Sequence, residues 1–230
     1  MKTFFLVLFH PIKSFTDSKA DEKFPLISLT IILFLMFINL ILMVPVVEKV
    51  TSLTISTMDL TDIQIDTANQ ITHKMRYLQV IGSEIFYILM FFSYALILYV
   101  IVRLAKVKLE YKKVLQLIVY SYLIIIIGDF INTFLLFLRG LDAITNIYDT
   151  SLLGLNLFTS IEQVGATLYT FLSYINIFQL IFVVLLSIGL KVFTDKGYLK
   201  SLILSVIFWI ITILLPTLSV YYSQLTVANL

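Results

Sequence analysis

Five stretches of this chain run apolar for about twenty residues or more with almost no charge. They cover about 25–47, 80–102, 114–138, 168–190 and 201–221, and only Glu84 in the second and Asp129 in the third interrupt them. Each is long enough to cross a hydrocarbon core of roughly 30 Å as a helix, the open-chain form that satisfies its own backbone hydrogen bonds there. The pattern predicts an all-α polytopic membrane bundle of five transmembrane helices, a single membrane domain over residues 1–230. The connecting segments read differently. Residues 1–23 combine Phe4, Phe5, Leu6, Leu8 and Phe9 with a break at Pro11 and a short helix carrying Ile12 and Phe15 against Lys13, Asp17 and Lys19. That mixture predicts interfacial structure rather than a cleaved leader. Residues 48–79 begin as a Ser/Thr/Asp-rich loop and turn helical near Asp66, with Ile71, Met75 and Leu78 on one face. In 139–167, Ile144, Leu152, Leu153, Leu155 and Phe158 suggest a segment lying partly on the membrane.

Charge then orients the pattern. Lys2, Lys13, Lys19 and Lys23, then Arg103, Lys106, Lys108, Lys112 and Lys113, then Lys191, Lys196 and Lys200 fall on one side of the expected membrane. Only Lys49, Lys74, Arg76 and Arg139 fall on the other, beside Glu48, Asp59, Asp62, Asp66, Asp142, Asp149 and Glu162. Basic loops stay in the cytoplasm, so the N-terminus is expected inside and the C-terminus outside. The basic inner loop Arg103, Lys106, Lys108, Lys112 and Lys113 has two readings. It fixes topology against anionic headgroups, or it is a docking site for a partner.

Composition removes most chemistry. Hydrophobic residues make up 60% and charged residues 13%, against about a quarter charged in soluble domains; the lipid bilayer is the natural surrounding. There is no Cys, hence no disulfide, thiolate nucleophile or thiolate metal site. A net charge of +2 gives no basis for nucleic-acid binding. His10 and His73 are expected on opposite sides of the membrane. No P-loop, H-E-x-x-H or G-x-S-x-G occurs. No catalytic residue, metal site or cofactor is therefore expected.

What remains is polar residues inside the spans. At about 1.5 Å rise per residue, Asn39 lies roughly 12 Å from the outer helix end, Asp129 about 13, Asn132 about 9, Asn176 about 10 and Gln179 about 16. They form one layer in the outer half of the bilayer, with Glu84 above it near the surface. No basic residue shares the layer to act as counter-ion. Such groups face one another or water. They are either hydrogen-bonding glue between helices or the lining of an outward-open cavity for a ligand, peptide or ion.

Three short passages carry a resemblance. Leu8-Phe-His-Pro-Ile-Lys-Ser-Phe15 is similar to the P-x-x-x-F entry before the first span in the Yip (Ypt-interacting protein) domain family of membrane proteins, in its bacterial branch. Arg103 to Tyr122 resembles that family's basic inner turn and V-x-x-Y-S/A-Y run. Leu180 to Lys200, with SIGLKVFTDKGYLKS, resembles the passage joining its last two spans. Leu104-Ala105-Lys106 stands where the family usually carries a Gly-Gly pair. The resemblance implies a non-enzymatic protein of five spans. Relatives organise membrane traffic through small GTPases or, in bacteria, serve envelope processes, in some cases beside ABC-type exporters.

Two functions follow as expectations. One is an accessory or scaffold protein of the bacterial plasma membrane that assembles with other membrane proteins, possible subunits of an ABC exporter or an envelope-stress or toxin-resistance system. The other is a small transporter or channel using the polar belt around Asp129. Against the second stand the odd span count and the lack of paired broken helices.

Overall fold

A computed structural model describes residues 2–20, 26–56 and 61–228, so Lys23, Pro25 and Asp59 lie outside the described residues. Regular structure among them is helical: α1 (Lys2–Phe5), α2 (Pro11–Ala20), α3 (Leu26–Ser56), α4 (Asp62–Leu104), α5 (Tyr111–Arg139), α6 (Ile161–Ser173), α7 (Ile177–Thr194) and α8 (Tyr198–Ala228). Five segments are long and apolar enough to cross a membrane, namely Leu26–Ser56, Val80–Leu104, Tyr111–Arg139, Ile177–Thr194 and Tyr198–Thr226.

The bundle is built around α5. Its residues 114–121 and 123–126 are buried on every side, as in a helix enclosed by others rather than one with a single apolar stripe. Helices α3, α4 and α7 pack on it, and α8 packs on α7. Outward, Phe34, Ile41, Phe86, Leu89, Phe134 and Leu215 stay exposed. Apolar surface of that extent suits lipid contact.

The N-terminal segment is more than an interfacial anchor. Phe5, Phe9 and Ile12 are exposed, but Phe4, Val7 and Phe15 are buried in the main core. The Phe15 ring lies 6.3 Å from Phe193 and 6.2 Å from Tyr120, which also meets Phe4 at 5.2 Å. Gly189 makes this possible, because a Cβ there would sit 2.9 Å from Phe15 Cζ and 2.6 Å from Leu117 Cδ2. Polar contacts lock the same end. Gln116 Nε2 donates to the Ser18 carbonyl (3.1 Å) and to Ser18 Oγ. Lys113 Nζ donates to the Lys19 carbonyl at 2.9 Å, and Lys19 Nζ to the Val192 carbonyl at 2.8 Å and to Asp195 at 3.0 Å.

Three boundaries differ from the sequence pattern. Helix α3 continues through Pro45 to Ser56 in place of a loop from residue 48. Val46 joins Leu136 and Ile144 in a second small core with Val50 and Leu53 against it, and Arg76 Nη1 reaches Glu48 Oε1 at 3.3 Å. Those contacts outweigh the hydrogen bond that Pro45 cannot donate. Helix α4 starts at Asp62 rather than near Asp66; Thr61 N–H donates to Gln64 Oε1 at 2.9 Å and closes its first turn. At 43 residues, α4 is roughly 65 Å long, about twice the hydrocarbon thickness. Its 62–79 portion therefore extends past the spanning part. The fourth apolar run, 168–190, is not one helix: α6 ends at Ser173 and α7 begins at Ile177.

Candidate polar cavity at a helix break

The break is made locally. Asn176 takes an extended backbone and its Oδ1 accepts from Gln179 N–H at 3.0 Å, capping α7. Asn is a strong N-cap because its side-chain oxygen replaces the missing helical acceptor. The freed backbone is used by the outer segment: Leu155 N–H donates to the Ile175 carbonyl at 3.1 Å, and Gly154 pairs with Asn176 in an isolated antiparallel bridge. Gly154 fits only as glycine, since a Cβ would lie 2.5 Å from the Ser173 carbonyl oxygen.

From the other side α5 holds the same segment. Asn132 Nδ2 donates to the Thr150 carbonyl (2.9 Å) and its Oδ1 accepts from Leu152 N–H (2.8 Å). Above that, Asp149 Oδ2 accepts from Thr145 N–H and Oγ1, each at 2.7 Å, and from Asn146 N–H at 3.0 Å. Partial burial works against the Asp149 charge, but these donors and nearby Arg139 together hold its carboxyl below the usual carboxylate range. Residues 145–155 are thus drawn down between α5 and the 174–176 break.

This arrangement leaves a cavity of about 310 Å³ whose wall includes Asp129, Asn132, Thr150, Tyr174, Asn176 and Gln179. Asp129 keeps an open surface there. Among the described residues it makes no hydrogen bond or ion pair, whereas Asn132 and Asn176 are committed to backbone groups. Asn39 lies elsewhere, accepting from Thr133 Oγ1 at 2.9 Å across the α3–α5 contact. Glu84 lines none of the cavities described; one of its carboxyl oxygens is buried without a partner. Four of the six belt residues therefore meet at one cavity and two do not.

The basic loop is likewise divided. Val107 and Leu109 are buried while Lys106, Lys108 and Glu110 are exposed, a period-two alternation that pins the loop by its apolar side chains. Arg103 lies over the Tyr99 ring at 5.0 Å. Lys113 lies 5.8 Å from the Phe193 ring in addition to its bond to Lys19. Lys112 is half-buried. A contribution that the pattern of residues did not mark comes from Lys200, whose Nζ donates to the Ala105 carbonyl at 3.0 Å and ties α8 to the loop.

Apolar spanning helices around an enclosed central helix define an integral membrane protein of the polytopic helical class. The Yip1 domain family model matches residues 5–219, and the chain belongs to that family. Comparison with curated proteins and with solved structures gives no match. The three passages that carry the resemblance meet at the basic end: Phe15 from the first, Leu117 and Tyr120 from the second, Gly189 and Phe193 from the third.

Proposed function

We propose that this protein is a non-enzymatic accessory protein of a bacterial plasma membrane, N-terminus in the cytoplasm and C-terminus outside, that assembles with other membrane proteins. The finer assignment is to subunits of an ABC-type exporter. The observation that carries the reading is the exposed apolar face of α4 beyond its spanning part: Ile63, Ile71, Met75 and Leu78 are exposed, and the face runs on into Ile81 and Ile85. Lipid covers that face inside the bilayer, and beyond it an apolar face of this kind suits contact with another protein. The exporter as partner is supported by the resemblance to the family's bacterial members. A photo-crosslinking residue at Ile71 or Met75 is expected to capture a membrane partner in cells, and one at His73, roughly 200° around the helix from Ile71, is not. Capture of an exporter subunit supports the finer assignment. Capture of another membrane protein removes the exporter, and no capture at any position overturns the reading. The orientation has its own check because the chain lacks Cys. Cys at Lys108 should be shielded from an impermeant thiol reagent in intact cells and Cys at Thr145 labelled.

A second reading, a small transporter or channel, is favoured by one observation: Asp129, unpaired among the described residues, stands in a cavity beside an interrupted helix. On that reading Asp129→Asn leaves a stable, well-inserted protein without activity.

A further inference from the structure

The Asp129 cavity is not isolated. A second cleft, of about 780 Å³, opens where α4 and α8 touch only sparingly, and the two cavities share Ile125, Tyr174 and Gln179 as wall. Their linings differ sharply. The first is polar around Asp129, while the second is built from side chains such as Phe86, Leu89, Phe208 and Pro216. Both volumes lie within the range of about 300–1,000 Å³ typical of small-molecule sites. Phe86, Leu89 and Leu215 are exposed on the outer surface of the bundle, so the cleft is open sideways to the bilayer.

We propose that the two cavities form one site for an amphipathic amine, with the amine against Asp129 and its alkyl chain in the α4–α8 cleft. This rests on the second reading above, that the Asp129 cavity takes a ligand. The occupant's chemistry follows from the walls. Among the described residues no Lys, Arg or His lines either cavity, so a phosphate or sulfate head has no counter-charge there. Among the described wall residues Asp129 is the one carboxyl, and an ammonium group supplies the three donors that its oxygens lack. Gln179 stands at the junction, able to accept from the head group. A small hydrophilic amine would fill only the polar chamber and leave the apolar cleft to lipid. An amine carrying an alkyl chain satisfies both parts, and it can reach the site from the membrane without crossing water.

The test uses the full-length protein in phosphatidylcholine nanodiscs and two probes, dodecylamine and dodecanol, each with a diazirine near the chain end. The amine is expected to label residues 86–93 of α4 and 212–220 of α8 about tenfold more than the alcohol, the factor that one charge-assisted hydrogen bond readily supplies. Asp129→Asn should bring amine labelling down to the alcohol level without altering the alcohol. Ser93→Phe, which fills the cleft from an exposed position on its wall, should reduce labelling by both probes and leaves the test decisive if the first variant fails to fold. Equal wild-type labelling by both probes, or amine labelling that survives Asp129→Asn, overturns the amine assignment while a cavity ligand remains. Competition by methylamine as effective as that by dodecylamine overturns the role of the chain. No labelling of the cleft, or labelling indifferent to Ser93→Phe, overturns the site and the second reading with it.

Discussion

The two ends of the bundle solve the problem of burying polar groups in opposite ways. At the basic end the N-terminal segment plugs the opening between α5 and α7. Phe15 seats against Gly189, and Gln116, Ser18, Lys19 and Lys113 bond one another's side chains and carbonyls. At the other end the chain also folds inward, through residues 145–155, but a cavity stays open and Asp129 makes no hydrogen bond or ion pair among the described residues. At the first end the packing closes around Phe15. The second spends its hydrogen-bonding amides on holding an irregular segment, which is why room remains beside them.

The contrast is broken most directly at the sealed end. Phe15→Ala removes a fully buried ring and should cost about 3–5 kcal/mol, read as a lower thermal midpoint and as protease access to the N-terminal segment. An unchanged midpoint would mean that the segment merely rests on the bundle. At the open end Gly154→Ala should cost less, about 1–3 kcal/mol, because the segment can shift outward. The clash is with the Ser173 carbonyl, so hydrogen exchange at Leu155 N–H should accelerate while that at the basic end does not. Uniform acceleration would show the two ends to be one cooperative unit.

A gentler probe is acid. The folded structure holds the Asp149 carboxyl below its ordinary range, so its contribution is fully present above the unfolded value of about 3.9. It fades as pH falls through the lower folded value. Protection of the Thr145 and Asn146 amides should therefore weaken at low pH in the wild type and lose that dependence in Asp149→Asn. A dependence that persists in the variant would place its origin elsewhere. Smallest of all should be the effect of Asp129→Asn on stability, within about 0.5 kcal/mol, since the replacement breaks no hydrogen bond seen in the fold. A clear fall in the thermal midpoint would make Asp129 part of the glue after all and remove the contrast between the two ends.

Much of the fold was legible because lipid imposes a simple rule: apolar runs of sufficient length become spanning helices. Five such runs, and the basic residues gathered on one side of them, can be read from residue order alone. The break inside 168–190 could not, because Tyr174-Ile175-Asn176 looks like any moderately apolar helix. Asn176 caps α7 locally, and Leu155 N–H and Gly154 arrive from about twenty residues away to take up the backbone groups that the break frees. The polar belt was legible as a depth and not as a set of roles. Counting along each helix put Asn39, Asp129, Asn132, Asn176 and Gln179 in one layer, but depth leaves the direction of a side chain open. Tertiary contacts gave Asn39 to Thr133 and Asn132 to residues 150–152, and Asn176 caps its own helix, so that of the four belt residues lining the cavity two are already committed to backbone groups. Apolar length is a local property that residue order determines by itself, whereas the partner of a polar group inside a membrane depends on which distant segment is folded against it.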